Sequence, residues 1–259
     1  MQEELLESMF RNQEQHWWFT TKRNIVVDQI DRYIDPFHNM SILDIGCGSG
    51  LMIQILNKYG TVFGMDTSEQ SIEFCKKLGG TNLALGALPK DIPFEANKFE
   101  MITALDVIEH IDDDGGSLIA IIDLLKNDGL LILTVPALNL MWTNFDEIND
   151  HKRRYSKSEL RRKLKLAGFE VEFISYYNSI LFPLAFVGRM YSKLFGVKSK
   201  SELEPPFPFI NRVLAKVFGL ELYILRFFSF PVGLSLIAVA RKSSHDGNCE
   251  PIDGSRNST

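Results

Sequence analysis

The segment Ile42-Leu43-Asp44-Ile45-Gly46-Cys47-Gly48-Ser49-Gly50 constrains this chain more than any other. An apolar run leads straight into three glycines at alternate positions, and a helical pattern follows. Such a strand–turn–helix belongs in an open α/β sheet, where ligands lie beyond the carboxyl ends of the strands. Glycine lets the backbone take angles that other residues resist and lets a ligand approach closely. The spacing is GxGxG rather than the GxGxxG of dinucleotide sites, which argues against a dinucleotide oxidoreductase.

The rest of the chain supports that architecture. SILDIG (41–46), TVFGMD (61–66), TNLALG (81–86), FEMITALD (99–106) and GLLILTVP (129–136) read as buried strands. Helical patterns at Leu51–Lys58, Ser68–Leu78, Asp113–Lys126 and Ser156–Ala167 alternate with them. This alternation predicts a mostly parallel sheet with helices on both faces. Thr67-Ser68 and Ser156 are expected helix caps, and Gly129 and Gly168 are expected helix stops. GLSLIAVARK (233–242) reads as a final strand. The stretch Ser179–Pro231 before it, rich in Phe, Leu and Pro, reads as a helical insertion. The chain is therefore divided into one domain over 1–242, with an N-terminal helical lid at 1–39 and the insertion at 179–231. A disordered tail is expected over 243–259.

Composition narrows the classes. The 259 residues carry a net charge of −5, which disfavours general nucleic-acid binding. No Asn-Pro-Pro-Tyr-like motif for a flipped base amine is present. The three cysteines, Cys47, Cys75 and Cys249, are too scattered for a disulfide framework or a zinc site, so a cytoplasmic setting is expected. No metal-ligand spacing stands out, and no metal is expected. The N-terminus lacks a basic start with an apolar run, so it does not read as a signal peptide.

With these motifs in order, the chain resembles class I S-adenosylmethionine (SAM)-dependent methyltransferases of the bacterial type 11/23-like group. The glycine segment resembles their SAM-binding motif. Asp66, closing the second strand, matches their ribose-binding acid. The segment ITALDVIEH, Ile102–His110, resembles their fourth-strand motif. The resemblance implies a Rossmann-like fold with a seven-stranded sheet and S-adenosyl-L-methionine as cofactor. It implies cofactor contacts at Asp44, Gly46, Cys47, Gly48, Gly50, Asp66, Thr67 and Asp106. Asp44 has a second reading, as an organiser of the glycine loop. Many relatives carry an acid after the third strand to hold the adenine amino group. Here Gly86 is followed by Ala87, so backbone groups with Leu88 and Met65 are the expected adenine contacts.

His16-Trp17-Trp18-Phe19 with Arg23 resembles a lid found in part of the superfamily; Trp18 and Arg23 are its expected cofactor contacts. The alternative is that the tryptophans pack a helix onto the domain. Methyl transfer needs an aligned nucleophile and, for a hydroxyl, a base. His151, within Asp146–Tyr155, is the candidate base. His110, Arg154 and Tyr155 are candidate substrate contacts, with Arg153 and Arg154 suited to an anionic group.

The expected function is methyl transfer from SAM to a small-molecule acceptor, an oxygen nucleophile on a hydrophobic, lipid-linked or saccharide compound. A noncatalytic SAM-binding module and a protein methyltransferase are the alternatives. The apolar and basic insertion has three readings: a substrate cap, a peripheral contact with the cytoplasmic membrane face, or a homodimer surface.

Overall fold

The computed structural model describes residues 10–34, 39–195 and 206–243. Residues 244–259 of the expected tail, 1–9 and 35–38 of the expected lid, and 196–205 of the expected insertion lie outside them.

Seven strands form one sheet: β1 (Met40–Ile45), β2 (Gly60–Asp66), β3 (Asn82–Leu85), β4 (Phe99–Leu105), β5 (Leu125–Pro136), β6 (Phe169–Tyr177) and β7 (Ser235–Lys242). Their order is β3-β2-β1-β4-β5-β7-β6. The pairs β1–β2, β1–β4, β2–β3 and β4–β5 are parallel. β7 runs antiparallel to both β5 and β6. The central strands are apolar on both faces because both faces are covered. Alternate residues serve opposite layers: Leu43, Ile102, Leu131 and Leu133 join one core, while Ile42, Met101 and Ile132 join the other.

The helices are α1 (Trp17–Tyr33), α2 (Leu51–Leu56), α3 (Glu69–Lys77), α4 (Asp114–Leu124), α5 (Asn144–Ile148), α6 (Lys157–Leu166), α7 (Phe182–Phe195) and α8 (Pro208–Leu225). α4 and α6 fill the first core with Leu118, Ile121, Leu160 and Leu164. α1, α2, α3 and α8 fill the second with Ile25, Ile30, Ile53, Ile72 and Phe218. Ser68 and Ser156 do cap α3 and α6, accepting from Ser71 N and Glu159 N.

Two helices stop earlier than the sequence suggests. α2 ends at Leu56 rather than Lys58. α4 ends at Leu124 rather than Lys126, and Leu125 already pairs with Phe99 of β4. Gly129 therefore lies inside β5 instead of ending a helix. The register between Phe99 and Met101 is irregular, which accommodates the extra residues from Lys126 to Gly129.

The insertion supplies α7 and α8 between β6 and β7. α8 lies on α1. Phe218 is buried, meets the edge of Trp17 with ring centroids 5.8 Å apart, and stacks on Tyr177 at 6.2 Å. Asn211 accepts from Trp17 N at 2.8 Å, and Arg226 donates to Asp28 at 2.6 Å. Glu221, buried on α8, accepts from the backbone N–H groups of Ser179 and Ile180 at 2.6 and 2.7 Å. It thereby ties α8 to the turn that starts α7. Burial pushes its carboxyl up to about 7, against those hydrogen bonds.

Candidate active site

Beyond the carboxyl end of β1 the chain turns through Gly46, Gly48 and Gly50, all with left-handed φ of +68°, +51° and +76°. Gly46 has a second constraint: an added Cβ would stand 2.7 Å from Cγ2 of Val107. The turn is held from the neighbouring strand. Gly46 N and Cys47 N donate to the Met65 carbonyl at 2.7 and 3.1 Å. Asp66 accepts from Gly48 N and from Ser68 N, each at 2.8 Å. The expected ribose acid thus also braces the loop. Asp44 is buried beneath the turn and accepts from the Thr103 hydroxyl at 2.6 Å. Burial pushes its carboxyl up to about 7, although that hydrogen bond opposes the shift.

Two cavities meet here. The smaller, about 280 Å³, is lined by Met65, Asp66, Thr67, Ala87, Leu88 and Ile111 among others. It combines a carboxylate with apolar walls, as a nucleoside requires. The larger, about 1550 Å³, is lined by Asp44, Cys47 and Gly48 on one side and by the lid and insertion on the other. Gly46, Asp106 and His110 border both cavities. A ligand with a nucleoside at one end and a charged amino acid at the other fits across that boundary. The residues present therefore fit SAM: Asp66 would hold the sugar, Met65 and Leu88 would face the base, and the glycine turn would receive the amino-acid portion.

The lid helix α1 closes over this boundary. Trp18 and Arg23 both line the larger cavity. Arg23 donates to the Gln13 carbonyl at 3.1 Å, and burial lowers its pKa. Trp17 borders the same cavity and also packs edge-on against Phe218, so it serves both lining and packing. Lys22, which sequence reasoning passed over, forms an ion pair with Asp106 and stands 5.2 Å from the Trp18 ring centroid. Asp106 has a left-handed φ of +57° and accepts from the Thr134 hydroxyl at 2.9 Å. The pair joins the lid to the end of β4 across long sequence separation, which no local pattern reveals.

On the far wall, Asp146 organises three residues. Its Oδ1 lies 2.8 Å from His151 Nδ1 and accepts from Arg154 Nε at 2.8 Å. Its Oδ2 accepts from Arg154 Nη2 at 3.0 Å and Thr143 N at 2.8 Å. Burial alone would raise the Asp146 carboxyl. The hydrogen bonds from His151 and Arg154 outweigh it and hold the group well below the ordinary aspartate value. With Nδ1 engaged, Nε2 is the ring nitrogen of His151 left for chemistry. The His110 ring meets His151 edge-on at 4.7 Å, and burial, then the neighbouring His151, lowers its pKa. Both rings border the larger cavity.

Two expected substrate contacts are placed otherwise. Tyr155 is fully buried in the first core, and its hydroxyl donates to Asp114 at 2.7 Å. It lines neither cavity, because an apolar ring between α4 and α6 is more stable in the core than in a polar cleft. Arg154 reaches the larger cavity, but its guanidinium is spent on Asp146 and, at 3.1 Å, on the Ala137 carbonyl. An anionic acceptor group would have to break a buried pair to engage it. Arg153 is likewise committed, to Asp114 and the Asp112 carbonyl.

Glu109 was also missed. It has no exposed surface, borders the larger cavity, and neither carboxylate oxygen has a hydrogen-bond partner among the described residues. Burial, then the nearby Asp106 charge, raises its pKa well above the ordinary value. One ligand atom each from Glu109, His110 and His151 lies within 4.8 Å of the others. These three could hold a divalent cation. The sequence hides the cluster because His151 arrives from a different loop.

Comparison with known proteins follows the same lines. A family model described as a methyltransferase domain matches residues 9–173. A ubiquinone biosynthesis O-methyltransferase from Bartonella tribocorum is 34% identical over 112 residues, covering 41% of this chain and 44% of the relative. One from Neisseria meningitidis serogroup C is 26% identical over 189 residues, covering 60% and 77%. The match thus spans less than half the length of the first of these relatives. Among solved structures, a Haemonchus contortus phosphoethanolamine N-methyltransferase in complex with SAM superposes with a TM-score of 0.57 at 17% identity, covering 85% of this chain and 52% of that one. The chain belongs to the methyltransferase-domain family and has the fold of class I SAM-dependent methyltransferases.

Proposed function

We propose that the protein transfers the methyl group of SAM to a hydroxyl oxygen of a hydrophobic small molecule. One observation carries the choice of an oxygen nucleophile: a histidine on the cavity wall, fixed by a buried carboxylate, with its second ring nitrogen unengaged. When bound, SAM supplies an electrophilic methyl group on a sulfonium. Asp66 and the glycine turn hold the cofactor at the boundary of the two cavities. Asp146 orients His151, and Nε2 would take the proton of the acceptor hydroxyl as its oxygen receives the methyl group that bound SAM would supply. α1 covers the reacting centre and excludes water. Leu105, Phe145, Leu181, Ala185 and Leu214 give the larger cavity apolar walls, which favours a hydrophobic acceptor. The relatives named as ubiquinone biosynthesis O-methyltransferases are consistent with that chemistry.

The test is incubation of the purified protein with methyl-labelled SAM and an organic extract of cells. Label recovered in a small molecule, in a linkage stable as an ether or ester, supports the reading. SAM binding with no transfer to any small molecule overturns it.

A further inference from the structure

α8 carries an exposed apolar stripe. Phe209, Val213, Leu220 and Tyr223 recur along one side of the helix, and Phe207, Phe227 and Phe228 flank its ends. The four phenylalanines are 77%, 81%, 79% and 72% exposed for Phe209, Phe207, Phe227 and Phe228. Arg212 and Lys216 are exposed between them. The single acid on α8, Glu221, is buried on the opposite side against Ser179 and Ile180. Arg226 is paired with Asp28. Among the described residues the stripe is therefore apolar, aromatic and cationic, without an acidic side chain, on a chain whose net charge is −5.

We propose that this stripe docks the protein on an anionic phospholipid surface. Aromatic and aliphatic side chains enter the headgroup region while cations pair with lipid phosphates. Charge decides against a second copy as the occupant. A twofold interface brings a patch against itself, and here that would set Arg212 and Lys216 against the same cations, with no acid of the stripe's described residues to offset them. No helix among the described residues is long and apolar enough to cross a membrane, so the contact is with the surface. Leu184 of α7 and Leu214 of α8 also border the larger cavity. Its mouth therefore adjoins the docking helix. A hydrophobic acceptor would pass from the lipid into the cavity with little exposure to water; this last point rests on the acceptor class proposed above.

The test is sedimentation with vesicles in the absence of SAM and acceptor, so that its outcome is independent of catalysis. The protein is expected to bind phosphatidylcholine–phosphatidylglycerol vesicles well and pure phosphatidylcholine vesicles weakly. R212E/K216E is expected to weaken binding to the anionic vesicles by about 25-fold or more, at about fivefold per cation removed and more for reversal. F227S/F228S is expected to weaken it by about tenfold or more. Both variants should bind SAM as the unaltered protein does. The proposal is overturned if the SAM-binding protein ignores anionic vesicles, or if R212E/K216E binds them unchanged. A solution dimer that F227S/F228S dissolves, with no vesicle binding, would assign the stripe to a second copy instead.

Discussion

Asp146 Oδ1 stands 2.8 Å from His151 Nδ1 while the same carboxylate carries Arg154 in a two-point pair. One buried acid thus orients a cavity histidine and neutralises a guanidinium that is 5% exposed. The two roles separate on mutation. His151→Ala should lower methyl transfer by about 10²–10⁴-fold and leave SAM affinity nearly unchanged, at a stability cost of about 1–2 kcal/mol for the hydrogen bond that buried Asp146 loses. Asp146→Asn should lower transfer as well, and it should also cost about 3–5 kcal/mol of stability because Arg154 is left buried without its partner. Single-turnover transfer of label and urea unfolding measure the two effects.

Asp66 is expected to matter chiefly for the cofactor. Asp66→Ala should raise the SAM dissociation constant by about 10²-fold through loss of charged hydrogen bonds to the ribose. The fold should lose about 1–2 kcal/mol, because Gly48 N and Ser68 N lose their acceptor but water can replace it. Calorimetric titration with SAM checks the first value. An unchanged affinity would remove Asp66 from the site.

Asp44 should make stability depend on pH. Its ordinary value is 3.8, and burial raises it to about 7 in the folded protein. Between these values the folded state holds a proton that the unfolded chain has released. The stabilisation is complete below about pH 4 and is lost as pH rises through about 7, a change on the order of 4 kcal/mol in total. Asp44→Asn should flatten this part of the profile. Urea unfolding across that range, for both proteins, measures the slope.

Phe218 joins the insertion to the lid through Trp17 and Tyr177. Phe218→Ala should cost about 3–5 kcal/mol by opening a cavity between α8 and α1. Trp17 should then report the change as altered fluorescence before global unfolding.

The sheet was legible wherever a buried strand left a continuous apolar run, as in SILDIG and GLLILTVP. The glycine turn and Asp66 were legible because their chemistry is local to the ends of two strands. α4 was drawn too long because Leu125–Gly129 lies at a strand irregularity, where neither helical nor alternating periodicity holds. The far wall resisted reading for a different reason. Tyr155 and Arg154 sit beside His151 in sequence, yet one is folded into the core and the other into an ion pair, and only packing distinguishes them. Glu109 and Lys22 carry no motif of their own. Their importance comes from what stands across from them.

β7 lies between β5 and β6, so a strand that follows the whole insertion in the chain occupies an interior place in the sheet. Until residues 235–242 arrive, β5 and β6 each offer a bare hydrogen-bonding edge. The strands that carry the glycine turn and Asp66, and the apolar helices of the insertion, thus precede in the chain the short segment that closes the sheet. A chain lacking that segment would present two strand margins to any neighbouring strand able to pair with them.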